Sequence, residues 1–257
     1  MSFKETAVKA ARAAAEIHQQ HFRKDVDVQQ KSTSYNLVTE ADTASEKEII
    51  AVIKENYPEH GIMTEEGGSE TSASPFTWVI DPLDGTNNYA SGIPFFCTSV
   101  ALAHEGRPVL GVIYDVIHDE MFYAEKGEGA FLNDQPICVN DVRDMAEALL
   151  ITGFYYDRGE EMLKTLDNMR KFFEQDIMGL RRFGAAALDL CYVACGRAAG
   201  FWEYKLNPWD FAAAMLILQE AGGRITDQQG RDVPLEASYV VASNSYIHDK
   251  MLKTLAG

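Results

Sequence analysis

Hydrophobic residues lie close to helical spacing in the first part of the chain. Between residues 3 and 22, the spacing predicts an amphipathic helix whose apolar face carries Phe3, Val8, Ala11, Ala14, Ile17 and Phe22. A second helix is predicted over residues 40–56, with Thr39 as its N-cap and Pro58 after its end. The segment "TSYNLVTEAD" before it indicates a loop or a short hairpin.

From Thr77 the hydrophobic pattern changes to that of strands. The segments "TWVID", "FCTSVALA", "PVLGVIYD" and "MFYAE" are rich in β-branched and aromatic residues, and turns such as "HEGRP" separate them. Such runs are typical of β-strands. Because these connections are short, residues 77–140 are predicted to form a sheet with antiparallel neighbours.

Beyond Asp141 strands and helices alternate. Strands are predicted at "ALLITGF", "MGLRRF" and "AGFWEY" and near 224–226 and 238–242, and helices near 158–174, 184–195, 208–221 and the C-terminus. This alternation predicts a layered α/β structure. We expect one domain over residues 1–257, with halves at about 1–140 and 141–257 and the functional site in the crevice between them.

Charge and hydropathy exclude several classes of protein. Lys and Arg total 23 against 39 Asp and Glu, a formal charge of −16, which argues against nonspecific nucleic-acid binding and against docking on anionic lipid. The apolar runs fall short of the roughly 18 residues that cross a bilayer, and the N-terminus lacks the pattern of a signal peptide. We therefore expect a cytoplasmic protein.

The four cysteines do not form a metal-binding pattern. Cys191 and Cys195 share one face of a predicted helix, a spacing that suits a metal or a disulfide, but no second Cys or His cluster accompanies them. Their neighbours are apolar. We therefore predict buried free thiols, which behave as small hydrophobes.

The stretch "WVIDPLDGTNNY", residues 78–89, has two interpretations. Pro, Asp and Gly in this order form a turn. Alternatively, Asp81 ends a strand, Asp84 lies at the start of a helix, and both carboxylates face one site. Hard cations such as Mg2+ take oxygen ligands and leave positions for phosphate. A helix that begins at Gly85 and Thr86 would aim free amide N–H groups at that phosphate.

A phospho-aspartate mechanism does not fit this stretch. "LDGT" resembles the motif of the haloacid dehalogenase superfamily, in which a nucleophilic aspartate precedes the second aspartate by two residues. Here that position is Pro82, which cannot be a nucleophile. The spacing favours activation of water by a metal ion.

Further acidic segments are ambiguous when each is taken alone. Glu65 and Glu66 in "MTEEGG" suit an exposed surface, and Asp210 in "LNPWDFAAAMLILQEAGG" suits the start of an apolar helix, where an acid favours the dipole. Lys31 and Asp42 in "KSTSYNLVTEAD" suit surface or capping positions.

Together these segments resemble one family. The chain is similar to the inositol monophosphatases, within the lithium-sensitive, Mg2+-dependent phosphatase superfamily, from about residue 31 to residue 223. The resemblance is carried by the Glu pair, "WVIDPLDGTNNY", "GAAALDLCYVACGR" and "WEYKLNPWDFAAAMLILQEAGG". It implies an α/β (α+β) fold, a layered αβαβα sandwich, with the metal and phosphate centre in the first half and the substrate side with the Trp-Asp motif in the second.

The resemblance also implies the ligands of two or three Mg2+ ions. One ion would bind Glu65, Asp81 and the backbone carbonyl of Leu83. A second would bind Asp81, Asp84 and Asp210, so that Asp81 bridges the two. A third, weaker ion would again use Glu65.

Four residues take catalytic or phosphate-binding roles in the resemblance. Thr86, supported by Asp42, would orient the attacking water and help to deprotonate it. Gly85 and Thr86 would bind phosphate through backbone N–H groups. Lys31 would lie near the metal site, and Glu65 would act in catalysis as a ligand.

The substrate side is expected around Glu203, where a carboxylate suits the hydroxyl groups of a polyol. The segment from Gly184 through Ala185 to Ala186 would line the sugar, together with Asp84 and Asp210. Departures from the family pattern bear on the substrate: Ala185 replaces a common Ser or Thr, Ala199 a common acid, and Asn87 a frequent Thr. All proposed metal ligands match the family pattern.

The resemblance implies a Mg2+-dependent hydrolase of inositol monophosphate or related sugar phosphates. Fructose 1,6-bisphosphate, NADP or a nucleotide is the alternative substrate, although the 11-residue segment between Glu66 and Trp78 is short and has no basic cluster. An alternative of another class is a metal-bound interaction protein with little catalysis. A homodimer is expected, without nucleic-acid or membrane partners.

Overall fold

A computed structural model of the protein describes residues 1–23, 28–30, 37–154 and 158–256. The helices are α1 (Phe3–His21), α2 (Glu40–Asn56), α3 (Thr86–Ala90), α4 (Glu160–Phe173), α5 (Ala186–Ala194), α6 (Pro208–Glu220) and α7 (His248–Ala256), with a 3-10 helix at Met145–Glu147. The strands before residue 140 are β1 (Val28–Gln30), β2 (Leu37–Thr39), β3 (Gly61–Thr64), β4 (Gly68–Glu70), β5 (Phe76–Asp84), β6 (Cys97–His104), β7 (Arg107–Asp115), β8 (Glu120–Glu125), β9 (Ala130–Leu132) and β10 (Gln135–Ile137). Those after it are β11 (Leu149–Thr152), β12 (Gly179–Arg181), β13 (Gly200–Leu206), β14 (Arg224–Thr226) and β15 (Ser238–Ser243).

The first large sheet contains the strands that precede residue 140. Its order is β10-β9-β8-β7-β6-β5-β3-β4, and β5 to β10 pair with antiparallel neighbours along the chain. The predicted antiparallel sheet is therefore confirmed. The strand β3, which the pattern did not predict, pairs in parallel with β5 and places the end of "GIMT" beside Ile80. A separate hairpin is formed by β1 and β2.

The second sheet has the order β12-β11-β13-β15-β14. Its strand β11 lies between β12 and β13, and both pairs are parallel. The pairing of Ile151 with Arg181 and with Phe201 fixes the register, so the carboxyl ends of all three strands lie at one edge. In open α/β sheets this edge is where ligands bind.

The buried side chains define five layers. One face of the first sheet packs on α1 and α2 through side chains such as Trp78 and Ile49, and its other face packs on α5 and α6. The second sheet covers the opposite side of α5 and α6 with residues such as Phe201. Its outer face packs against Phe172 of α4 and Met251 of α7. The predicted αβαβα sandwich is confirmed, while the division of one domain into two halves stays a prediction.

The helix predictions are close to the structure, and one strand prediction is wrong. The helix over residues 40–56 is α2, and residues 3–22 form α1 apart from its last residue. Asp81 does not end its strand, because β5 continues through Pro82 to Asp84 with a shift in register against β6. The following helix α3 is only 5 residues long.

The cysteines are free thiols among the described residues. Cys97 and Cys191 are buried, Cys195 at the end of α5 is partly buried, and Cys138 is exposed. The prediction of a buried thiol is therefore confirmed for Cys191 and only in part for Cys195. Within the described parts of the chain, no helix is both long and apolar enough to cross a membrane.

Candidate active site

The predicted acidic residues line one cleft between the two sheets. Seven of the residues named in the sequence analysis form one part of the cleft wall: Glu65, Asp81, Leu83, Asp84, Gly85, Thr86 and Asp210. These residues come from the turn after β3, from the end of β5 and the start of α3, and from the first turn of α6. We call the four acidic side chains Glu65, Asp81, Asp84 and Asp210 the carboxylate set.

The irregular end of β5 aims its residues at the cleft. The register shift between Asp81 and Asp84 inserts extra backbone into the pairing with β6, and such a bulge re-aims side chains. Gly85 then takes a left-handed φ of 94°, a conformation that favours glycine. A Cβ atom here would also lie 3.0 Å from the carbonyl oxygen of Phe95. Glycine is thus required both by conformation and by space.

Burial and like charge raise the pKa values of three members of the carboxylate set, Asp81, Asp84 and Asp210. Desolvation is the largest cause for Asp81 and Asp210, whose pKa values lie well above the ordinary range, and the other acids of the set add to it. Desolvation also raises the pKa of Asp84 to about 7, against the opposing effect of the amide of Ala187. These acids therefore favour positive charge in the cleft.

Backbone amides orient part of the carboxylate set. Asp81 Oδ1 accepts a hydrogen bond of 3.0 Å from the amide of Leu83, and Asp210 Oδ2 accepts one of 2.7 Å from Asn207. Across the described ranges, no three His, Cys, Asp or Glu side chains form a closed coordination group. The carboxylates share the cleft wall, and mutual repulsion opposes their meeting at one point.

Asp84 joins two segments that lie far apart in the sequence. Its Oδ1 accepts a hydrogen bond of 3.2 Å from the amide of Ala186, and its Oδ2 accepts one of 2.7 Å from Ala187. These amides belong to the first turn of α5, whose own N-cap residue, Ala185, provides no side-chain hydrogen bond. Asp84 therefore caps a helix about one hundred residues away, and the helix dipole stabilises its negative charge.

Asp210 is placed by local sequence. It is the third residue of α6, after Pro208 at the helix start, and it forms a capping box with Asn207. Pro suits the first position of a helix because that amide has no intrahelical partner. Asp210 therefore both caps the start of α6 and lines the cleft.

Thr86 and Asp42 are in contact, as the resemblance implies. The hydroxyl of Thr86 lies 2.9 Å from Asp42 Oδ1 and 3.0 Å from the carbonyl oxygen of Leu83, so it can donate to either acceptor. Asp42, in the first turn of α2, is fully buried behind the cleft wall. Lys31 lies outside the described residues.

A buried glutamate that the sequence analysis missed supports the turn of Glu65. Glu46 on α2 accepts hydrogen bonds at Oε2 from the hydroxyl of Thr64 and from the amides of Glu66 and Gly67. It thereby fixes the backbone on both sides of Glu65. The spacing of Glu46 from Asp42, one helical turn, was the available signal.

On the substrate side, Glu203 lines the cleft with Gly184 and Ala186. Burial raises the pKa of Glu203 to about 8, although the charge of Arg182 opposes this shift. Gly153 makes room for the carboxyl group, since a Cβ atom at this position would lie 1.9 Å from Glu203 Oε2. Ala185 corrects the prediction: it is fully buried and packs against Gly85 instead of lining the cleft.

Two basic residues and an aromatic residue in the cleft wall were not predicted. Arg182, Lys205 and Phe154 line it together with Gly153. Arg182 and Gly153 follow the carboxyl ends of β12 and β11, and Glu203 lies within the neighbouring strand β13 at the level of Gly153. We call Gly153, Arg182, Glu203 and Lys205 the strand-edge set. No single segment contains this set, and only the strand pairing indicates it.

The chain matches the family model described as the inositol monophosphatase family over residues 2–256. "Nus factor SuhB" from Pasteurella multocida is 42% identical over 251 residues, which cover 97% of this chain and 94% of the relative. "Inositol-1-monophosphatase" from Synechocystis is 41% identical over 233 residues, covering 89% and 80% of the two chains.

Solved structures agree with these matches. The extragenic suppressor protein suhB from Bartonella henselae has a TM-score of 0.93 at 37% identity, covering 98% of this chain and 97% of that one. The inositol monophosphatase from Anabaena has a TM-score of 0.88 at 38% identity, covering 98% and 94%. The protein belongs to the inositol monophosphatase family, and it is a phosphatase.

Proposed function

We propose that this phosphatase hydrolyses inositol monophosphate or a related sugar phosphate and that it depends on Mg2+. The observation that carries the proposal is the meeting of the carboxylate set in one cleft with Thr86, which contacts Asp42. Three separated segments supply these groups. A structural role for any one acid would not require the others beside it.

The donor set fits Mg2+. Its members are carboxylate oxygens and, at Leu83, a backbone carbonyl oxygen, which are the ligands that hard cations take. The raised pKa values of Asp81 and Asp210 reflect burial and mutual repulsion, and a bound cation would offset that repulsion. Glu65, Asp81 and the Leu83 carbonyl would hold one ion, and Asp81, Asp84 and Asp210 a second. Glu65 would also contact a third.

When bound, such ions supply Lewis-acid chemistry at the phosphoryl oxygens and favour deprotonated water. The chain's own residues position the reactants. Thr86 Oγ1 would accept a hydrogen bond from the attacking water while it donates to Asp42 Oδ1, and Asp42 would take up the proton. Buried Asp42 is fixed by α2, so this pair is preorganised.

Gly85 and Thr86 would hold the phosphate through their amides. Both line the cleft, and the first-turn amides of α3 have no partner within the helix. Glu203 would accept a hydrogen bond from a substrate hydroxyl, with Gly184 and Ala186 beside the sugar. Lys31 is proposed to act near the metal site on the family resemblance alone.

Phosphate release from a panel of esters tests the function. The panel contains inositol 1-phosphate, fructose 1,6-bisphosphate, NADP, histidinol phosphate and adenosine 3′,5′-bisphosphate, each with and without Mg2+ and with added Li+. We expect Mg2+-dependent release that Li+ suppresses, with the highest kcat/KM for inositol 1-phosphate or a sugar phosphate. Protein with Asp81→Asn, purified in the same way, controls for contaminating phosphatases. Release that persists in a chelator would contradict the metal dependence.

A second function is favoured by the names of the relatives. Several of comparable identity carry the name Nus factor SuhB, including those from Pasteurella multocida and Pseudomonas aeruginosa. An added role as an interaction protein is therefore proposed as the second candidate. Folded wild-type protein that binds Mg2+ and releases no phosphate from the panel would favour this candidate over the first.

Three further proposals rest on the resemblance and on composition. A homodimer is proposed, which sedimentation of the purified protein would test. The cytoplasm is proposed as the compartment, which fractionation of the source cells would test. The formal charge of −16 supports a protein without nucleic-acid partners.

A further inference from the structure

The guanidinium of Arg182 has no acidic partner at ion-pair distance within the described ranges, although it lies in the cleft wall. It folds over Gly184, where a Cβ atom would lie 2.5 Å from Arg182 Nη1. Gly184 precedes by two residues the amide that donates to Asp84. The guanidinium therefore lies beside the segment that contacts the carboxylate set.

Lys205 is held in the cleft wall by a strained backbone. It has a φ of 54°, in the left-handed region, and it lies in the irregularity of β13 between Glu203 and Leu206. Such outliers cluster at binding sites because the surrounding structure must maintain them. Its ammonium is 3.0 Å from Glu161, and the two side chains are 51% and 21% exposed. The lysine side chain therefore stays about half exposed while it is paired.

The sheet brings these two cations into one neighbourhood. Arg182 follows β12 and Lys205 lies in β13, on either side of β11. The register sets Arg182 level with Trp202, three residues before Lys205, so two strand spacings of about 4.8 Å and a stagger of about 10 Å along the strands separate the two backbones by roughly 14 Å. Both side chains are long and flexible, so they can converge on one group above the strand edge.

Charge in the cleft is divided between two sets of residues. Apart from Arg182 and Lys205, the charged residues in the described wall are the carboxylate set and Glu203. The two cations thus belong to the strand-edge set, together with Glu203, whose carboxyl group suits the hydroxyl groups of a polyol. A phosphate at the carboxylate set does not require them.

We propose that Arg182 and Lys205 form a second anion subsite, which binds a phosphate or carboxylate carried by the substrate in addition to the phosphate that is removed. This inference rests on the proposed function and names its substrate class: polyol or sugar phosphates with a second anionic group. Arginine binds planar oxyanions through paired hydrogen bonds, and lysine adds a point charge.

Matched substrate pairs test the subsite. Fructose 1,6-bisphosphate is compared with fructose 1-phosphate and fructose 6-phosphate, and 6-phosphogluconate with glucose 6-phosphate, which separates phosphate from carboxylate as the second group. We expect wild-type kcat/KM to be higher for the member with two anionic groups in at least one pair. Arg182→Gln and Lys205→Gln should each lower that ratio by roughly tenfold, the effect of one charged hydrogen bond. Arg182→Lys should restore part of it.

The control is Arg181→Gln, since Arg181 is exposed and does not line the cleft. This variant should keep the wild-type ratio. If Arg182 only compensates the buried acids Glu203 and Asp189, both members of each pair lose activity equally. An unchanged ratio in the Arg182→Gln and Lys205→Gln proteins therefore overturns the subsite while leaving the phosphatase function in place.

Absence of all turnover would instead overturn the proposed function, and the subsite then remains testable by binding. Unhydrolysed fructose 1,6-bisphosphate and fructose 6-phosphate are titrated into wild-type protein and the Arg182→Gln variant by calorimetry. Tighter binding of the bisphosphate that the variant loses by about tenfold supports the subsite. If wild-type protein binds the two ligands equally tightly, or if the variant binds the bisphosphate as tightly as wild-type protein does, the subsite is contradicted.

Discussion

The carboxylate set and the strand-edge set line the same cleft but are built in different ways. The carboxylate set comes from short motifs whose chemistry is legible in sequence, and local features such as the Gly85 turn and the α6 capping box fix it. The strand-edge set comes from three strands that are separated in sequence and adjacent in the sheet. The residues proposed for the reaction chemistry are thus encoded in local sequence, whereas those proposed for substrate recognition are brought together by strand pairing.

The sharpest test of this division is removal of one charge from the carboxylate set. Asp81→Asn keeps the shape of the side chain and removes the charge that would bridge two ions. We expect kcat/KM to fall by at least about 1,000-fold, since metal ions supply several kcal/mol of transition-state stabilisation. The Mg2+-dependent rise in Tm should shrink in the same protein.

Asp115→Asn is the matched control for that experiment. Asp115 is fully buried in the same sheet, outside the cleft wall, and accepts hydrogen bonds from the amides of Ile117 and His118. It should lower Tm and retain activity. An Asp81→Asn protein that keeps more than a tenth of wild-type kcat/KM would remove Asp81 from the proposed centre.

Changes in the strand-edge set should act on recognition and be smaller. Glu203→Gln should lower kcat/KM by about 10-fold, because it removes a carboxyl group that would form a hydrogen bond with a substrate hydroxyl. Gly153→Ala should act in the same direction, since its Cβ would displace the Glu203 carboxyl group. In both variants we expect KM to change more than kcat.

Gly179→Ala is the control for Gly153→Ala. Gly179 lies in the neighbouring strand β12, and a Cβ there would lie no closer than 3.3 Å to the Arg181 side chain. Kinetics of the three variants on inositol 1-phosphate provide the measurement. If Gly153→Ala lowers kcat with KM unchanged, Glu203 acts in the chemical step and the division between the sets fails.

The free energy of unfolding should depend on pH through one acid of each set, Asp84 of the carboxylate set and Glu203 of the strand-edge set. Without metal, burial raises the pKa of Asp84 to about 7 and that of Glu203 to about 8, so the folded state holds protons that the unfolded chain releases. The free energy of unfolding should therefore fall as pH rises from about 4 to about 8, by a few kcal/mol. Mg2+ should stabilise the protein most at the alkaline end, where the acids are charged.

Thermal melts in chelator and in Mg2+ at several pH values measure this effect. Glu203→Gln should flatten the pH dependence in chelator, because it removes one raised pKa. A Tm that rises with pH in chelator would contradict the sign. A Tm unaffected by Mg2+ at pH 8 would contradict metal binding at the carboxylate set.

The smallest expected effect concerns the strain at Lys205. Lys205→Gly should raise the free energy of unfolding by about 1 kcal/mol or less, since glycine tolerates the left-handed φ of 54° and its flexibility offsets part of the gain. Lys205→Ala removes the same ion pair and keeps the strain. In denaturant melts, the Lys205→Gly protein should have a higher free energy of unfolding than the Lys205→Ala protein. The reverse order would mean that the backbone is not strained.

Much of the fold was predictable because helix and strand periodicity are local. The bounds of α2 followed from its apolar spacing, and the alternation after Asp141 indicated the second sheet. The prediction that Asp81 ends its strand is wrong, because β5 continues through Pro82 to Asp84. The register shift between β5 and β6 accommodates the proline, whose carbonyl oxygen accepts a hydrogen bond of 3.2 Å from Thr98.

In the candidate site, the acids were predictable and their supports were not. Glu65, Asp81, Asp84, Thr86 and Asp210 were named from motifs, and all of them line the cleft. That Asp84 caps α5 could not be read from a helix whose own N-cap is alanine. The segment between Glu66 and Trp78 lacks a basic cluster, yet Arg182 and Lys205 enter the cleft from elsewhere.

The sequence by itself determined the layered fold, the family and the identity of the acids that face the cleft. These features depend on residue type and on the spacing of residues close together in the sequence, so they can be identified without the structure. The tertiary structure alone decided that Arg182 and Lys205 line the cleft, that Ala185 is buried and that Glu46 supports the turn of Glu65. The reason is that strand pairing and helix packing set the distances between segments, and no local spacing records them.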